Sequence, residues 1–140
     1  VQQEIATLDR DGVPWEIVPG VSSVLSAAAA VGVPVTDKVE STAFATLSGH
    51  SPDIHDWPTL AKLDTLLILM GGRKLGIIAT KLLQAGRAAD TPVVIVHWAN
   101  TPRQRLITGQ LDGIVKAAGD LTALSPCIII VGAVARHAKA

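Results

Sequence analysis

Two histidines and two aspartates crowd one short stretch of this 140-residue sequence: His50, Asp53, His55 and Asp56. Such side chains ligate metals when a regular element fixes their spacing. Here Pro52 interrupts the stretch and no helical or strand period relates the four, which makes it a solvated polar loop. Neither Ser22 nor Ser48 lies in Gly-x-Ser-x-Gly, so no nucleophile elbow is present. Residues 70–76, Met-Gly-Gly-Arg-Lys-Leu-Gly, superficially suggest a phosphate loop but lack Gly-Lys-Ser/Thr and the Gly-x-Gly-x-x-Gly spacing. His97, on a buried strand, reads as a hydrogen-bonded core histidine rather than a catalyst. Cys127 is the only cysteine, so no intrachain disulfide forms. Within Ser-Pro-Cys-Ile-Ile-Ile-Val it reads as a buried strand thiol, not a nucleophile.

The informative residues are those that follow the apolar runs. Leu47 is followed by Ser48-Gly49-His50, Met70 by Gly71-Gly72, Trp98 by Ala99-Asn100-Thr101, and Val18 by Pro19-Gly20-Val21-Ser22-Ser23. Small residues at the carboxyl end of a strand let a ligand approach the backbone, and open α/β sheets bind ligands there. Glycine and proline also simply make turns. Four such ends in one chain favour a ligand crevice.

The elements that must position these ends alternate. The pattern predicts strands at 42–47, 66–70, 92–98, 104–108 and 127–131, with helices near 57–63, 74–85 and 111–118. Nearly continuous Val/Ile/Leu strands between helices imply an α/β fold with a mixed, mostly buried sheet. The short Asn100-Thr101-Pro102 turn predicts one antiparallel hairpin. Upstream, residues 1–11 read as a helix closed by Gly12, and 15–18 as a short extended run. Ser22 or Ser23 caps a small-residue helix through Ala30, which Gly32 ends. Residues 33–40 read as a linker.

Twelve basic residues balance twelve acidic ones and aromatics make up only 3%, which leaves no footprint for nucleic acid. No apolar run approaches the roughly 20 residues of a membrane helix. No targeting motif is seen, so the cytoplasm is the expected location. The chain starts at Val1 inside a helical pattern, as an excerpt of a longer protein would.

The residues also carry a resemblance. Val18-Pro19-Gly20-Val21-Ser22-Ser23 with Gly32-Val33-Pro34-Val35-Thr36 resembles the central signature of the tetrapyrrole (corrin/porphyrin) methylases. Ser48-Gly49-His50 resembles that family's Thr-Gly-His. Asp56-Trp57, Leu60-Ala61, and the run from Asp64 to Gly71 are similar to its uroporphyrinogen-III C-methyltransferase members. So are Thr101-Pro102-Arg103-Gln104-Arg105 with Thr108-Gly109-Gln110-Leu111, and the closing strand 128–132. The likeness spans roughly residues 10–135, and the motifs are specific together rather than singly.

The resemblance implies an enzyme that transfers the methyl group of S-adenosyl-L-methionine to uroporphyrinogen III, towards precorrin-2, sirohaem and cobalamin. It implies two lobes: residues 1–38 close the first, and 39–140 form the second, with the mixed sheet. Ser22, Ser23, Met70 and Ala99 take cofactor-binding positions, although the family usually has Gly where Ala99 stands. Lys38 and His50, with Met70, take substrate-facing positions; the family more often has Arg at Lys38, and Lys loses bidentate geometry. The family's first glycine-rich loop and its arginine segment would lie upstream of Val1. This chain alone is therefore expected to show little or no activity, and the full-length protein to be a homodimer. The competing expectations are a methylase of a later precorrin and a non-catalytic ligand-binding or dimerisation module.

Overall fold

The computed structural model describes residues 1–139. Three strands with almost unbroken aliphatic sequence, β2 (Thr65–Leu69), β5 (Cys127–Val131) and β3 (Pro92–His97), form the middle of a five-stranded sheet. Both faces of these strands are covered, which explains why they read as continuous rather than alternating apolar runs. β1 (Phe44–Ser48) and β4 (Arg105–Gln110) are the edges, in the order β1-β2-β5-β3-β4. β1 runs parallel to β2, while β5 is antiparallel to β2 and β3, and β4 is antiparallel to β3. The sheet is mixed and contains the hairpin, as the sequence implies.

This register has a positional consequence. Ile130 of β5 lies opposite Leu67 on one side and Val94 on the other. β2 and β3 therefore run parallel to each other with β5 between them. The carboxyl ends of β1, β2 and β3 meet the amino end of β5 along one edge.

One face of the sheet carries Leu66, Ile68, Ile95 and Ile129 and is covered by α4 (Leu75–Gln84) through Leu75, Ile78 and Leu82, joined by Ile114 of α5 (Ile114–Ala118). The other face carries Leu67, Val94, Val96 and Ile130 and is covered by α2 (Ser23–Ala30) through Val24, Ala27 and Ala28. The alanines bring that helix close to the sheet, and Gly32 ends its last turn at φ 68°. α3 (Trp57–Leu60) is a single turn, shorter than the predicted 57–63. α5 begins three residues later than expected, because the Leu111 N–H goes to the Thr91 carbonyl at 2.9 Å.

α1 (Gln2–Arg10) buries no residue. Beyond it, 15–18 is not a strand: it pairs with nothing among the described residues, and Ile17, Val18 and Val21 stand exposed. No helix among the described residues is long and apolar enough to cross a membrane.

Candidate functional site

The shared edge is where the backbone leaves regular geometry. Met70 follows β2 at φ 54° and Trp98 follows β3 at φ 52°, with Asn100 at φ 60° just beyond. Left-handed backbone is rare for side chains other than Asn, Asp or Gly, and it clusters at ligand sites. Here it turns both chains away from the strand direction and opens the edge between them.

A cavity of about 330 Å³ fills that opening. Its floor is apolar, made by Leu69, Val96 and Ile128, and Met70, Ala99 and Pro126 form part of its rim. Ser23 and Ser26 of α2 add hydroxyls. Their spacing of three places them on one helix face. The wall after β3 is tied down by side chains. Asn100 Nδ2 donates to the Ser26 hydroxyl at 3.2 Å, and the Asn100 N–H donates to Gln104 Oε1 at 2.8 Å. The Thr101 hydroxyl closes the turn on the Trp98 carbonyl at 2.7 Å.

Electrostatically the cavity is quiet. Cys127 is the only titratable side chain in its lining, and burial pushes that thiol up to about 11, against the smaller opposing pull of a hydrogen bond from Gly72. A thiol in that state is not a nucleophile near neutral pH. Such walls can bind and orient a largely apolar ligand with a few hydroxyl or backbone contacts; they supply no acid or base.

Of the residues singled out in the sequence, Ser23, Met70 and Ala99 come together in this cavity. Ser22 is the N-cap of α2, adjacent but outside the lining, and its side chain makes no cap hydrogen bond. His50 is exposed just past β1. Lys38 lines a separate surface depression with Thr36, Asp37, Ser41 and Thr42. The Ser41 hydroxyl meets that of Thr65 at 2.8 Å, so the Lys38 loop is anchored at the amino end of β2, away from the cavity. Sequence reasoning missed Ser26, and it named Asn100 and Gln104 within motifs without assigning them a role. Ser26 was detectable from its helical spacing to Ser23, but the two amides reveal their roles only through contacts across the fold.

Two sequence readings gain a physical basis in the structure. Gly49 and Gly71 are required to be small by protein packing on their Cβ side: a Cβ on Gly49 would lie 2.6 Å from the Gly71 Cα and 2.9 Å from Ile78 Cδ1. Their smallness serves close packing of β1 and β2 ends under α4. His97 Nε2 is covered by protein and has no protein hydrogen-bond partner among the described residues.

The polar loop is occupied structurally. Asp53 pairs with Lys81 at 2.9 Å, His55 Nε2 lies 2.7 Å from the Ser48 carbonyl, and Asp56 accepts from the Thr59 hydroxyl at 2.6 Å. Trp57 is buried and donates to the Pro52 carbonyl at 2.7 Å.

An α/β domain with a mixed sheet and a ligand-sized cavity at the carboxyl edge has the architecture in which open sheets hold small molecules. Residues 1–115 match the model of the Tetrapyrrole (Corrin/Porphyrin) Methylases, and the chain belongs to that family. A uroporphyrinogen-III C-methyltransferase of Synechococcus elongatus is 40% identical over 136 residues, which cover 97% of this chain and 56% of that protein. The chain thus spans little more than half the length of this relative. Uroporphyrin-III C-methyl transferase from Thermus thermophilus, in complex with S-adenyl homocysteine, superposes with a TM-score of 0.80 at 33% identity. That match covers 96% of this chain and 60% of the other. A cobalt precorrin-4 methyltransferase superposes at 0.85 with 25% identity, covering 96% and 58%.

Proposed function

We propose that this chain forms one wall of the cofactor site of an S-adenosyl-L-methionine-dependent C-methyltransferase acting on uroporphyrinogen III. The observation that carries the reading is the cavity at the β2 and β3 ends, which gathers Ser23, Met70 and Ala99. At about 330 Å³ it falls within the range of small-molecule sites, roughly 300–1,000 Å³. Its apolar floor suits an adenine face, and its hydroxyls suit a ribose or amino-acid group. The Ala99 methyl narrows the rim only slightly. The Thermus thermophilus relative with bound S-adenyl homocysteine supports the same ligand class.

When bound, the cofactor supplies an electrophilic sulfonium methyl, which a nucleophilic pyrrole carbon takes in line as the carbon–sulfur bond breaks. What the residues of this chain contribute is orientation and exclusion of water. Ser23 and Ser26 hold one side, Met70 borders the reacting face, and the Asn100 tether fixes the other side. The proton released from the methylated carbon would pass to water or to a group outside this lining, in which Cys127 is the only titratable residue. His50, just past β1, serves the substrate's carboxylates from outside the cavity, whereas Lys38, at the amino end of β2, is not placed to share that role within this chain. We further propose that residues 1–38 belong to a first lobe and 39–140 to a second, that the full-length protein is a cytoplasmic homodimer, and that this chain alone turns over little or no substrate.

Calorimetry with S-adenosylhomocysteine on the full-length protein tests the reading. Ala99→Leu, which fills the rim, is expected to weaken binding at least about tenfold. Unchanged binding would place the cofactor away from this rim, and no binding in the wild type would leave a non-catalytic ligand-binding or dimerisation module as the reading. The likeness to a cobalt precorrin-4 methyltransferase makes product analysis with later precorrins the test of substrate.

A further inference from the structure

A second cavity, about 380 Å³, opens at the β3–β4 hairpin and is walled by His97, Trp98, Pro102, Arg103, Gln104 and Arg105. Trp98 belongs to both cavities and divides them. The chemistry on its two sides is opposite. The first cavity has no charged wall, whereas the second has two guanidiniums, an imidazole and an amide, and no carboxylate.

Neither Arg103 nor Arg105 forms a salt bridge among the described residues, although Arg10 and Arg136 each do. Arg103 is held with its Cζ 3.7 Å over the Trp98 ring, so its cation is positioned rather than freely waving. His97 completes the inner wall as an imidazole ring whose Nε2 is covered by protein. Each feature alone is a common surface detail. Together on one concavity they are a set of donors without an acceptor.

We infer that the cavity between His97, Trp98, Arg103 and Arg105 binds a carboxylate. A guanidinium fork matches a carboxylate in two parallel hydrogen bonds, and Arg103 and Arg105 bring two such forks to one concavity. Trp98 gives the ligand's carbon skeleton an apolar wall. The carboxylate is either that of a free small acid or an arm of a polycarboxylate tetrapyrrole; both present the same group to the same donors. The inference does not depend on methyl transfer in the neighbouring cavity.

Nuclear magnetic resonance on the isotope-labelled full chain tests it, with citrate as the first probe. The expected result is a saturable shift of the Trp98 indole N–H and the His97 ring signals. Arg103→Gln and Arg105→Gln should each weaken that response about tenfold, because each removes a charge-assisted contact. Both side chains are exposed, so Arg105→Gln should keep the wild-type urea midpoint, Arg103→Gln should lower it only slightly through the lost Trp98 stacking, and Arg73→Gln should change nothing. Uroporphyrin III shifting the same signals, with its octamethyl ester silent, would assign the site to a tetrapyrrole arm. A response to citrate alone would assign it to a free acid. No saturation below about 50 mM of either probe, or equal responses in wild type and both arginine variants, would overturn the inference. S-adenosylhomocysteine binding, followed in parallel through the Met70 methyl signal, should be unaffected by Arg105→Gln, so this result and the cofactor reading fail separately.

Discussion

Asn100 reaches from the β3–β4 loop to α2, where its side-chain amide donates to the Ser26 carbonyl at 3.3 Å and to the Ser26 hydroxyl at 3.2 Å. This contact joins residues 74 positions apart and ties two walls of the first cavity together. Asn also suits its backbone at φ 60°, since its short polar side chain tolerates left-handed geometry.

Asn100→Ala should therefore cost both the tether and the backbone fit, about 1–2 kcal/mol in urea denaturation. Asn100→Gly removes the tether but keeps the backbone relaxed, so it should recover part of the stability and none of the ligand affinity. Two variants equal in both measurements would show that the loop is held by other contacts.

The Gly49–Gly71 approach predicts an asymmetry among glycines. Gly49→Ala places a methyl 2.6 Å from a backbone carbon between packed strands and should destabilise by about 1–3 kcal/mol. Gly76→Ala, in the first turn of α4 with open space around its added methyl, should stabilise by up to about 1 kcal/mol. Thermal denaturation of both variants side by side reads the sign directly.

The contrast also shows what was legible in the sequence. β2, β3 and β5 were, because burial on both faces writes an uninterrupted aliphatic run. The cavity edge was too, because strand ends with small residues are local features. That Gly49 and Gly71 must be small for each other is decided by a contact between positions 22 apart, which no local pattern encodes. The same holds for His97, whose surroundings depend on its pairing with Arg105 across the hairpin. Residues 15–18 carry a strand-like composition, but composition cannot say whether a partner strand lies alongside, and among the described residues none does.

Four carboxylates predict the acid response. Asp37 is held below the ordinary 3.8 by N–H bonds from Val39 and Glu40, and Asp64 by the N–H and then the hydroxyl of Thr42. Asp56 and Asp120 are lowered mainly by the hydroxyls of Thr59 and Thr122. A depressed folded-state value means that the unfolded chain binds more protons in the window between the two values. This contribution is thus complete above the ordinary value and is lost as pH falls through the lower folded values. The urea midpoint should be flat near pH 6 and drop below about pH 4. Asp64→Asn should be less stable than wild type at pH 6 and converge with it in acid; a constant gap at all pH values would mean that the Asp64 charge is irrelevant.

Cys127 offers a probe of the cavity wall whose pH profile separates two causes of low reactivity. Its thiol is raised from 9.0 to about 11 by burial, so at pH 8.5 the native thiolate should be about a hundredfold scarcer than in the unfolded chain. Alkylation by iodoacetamide should be slow in the native protein, accelerate on unfolding in urea, and keep rising past pH 10 while the fold persists. Steric shielding alone would lower the rate at every pH and leave the midpoint near 9.0. A midpoint displaced upward identifies desolvation as the cause, because only a change in the ionisation equilibrium moves the profile along the pH axis.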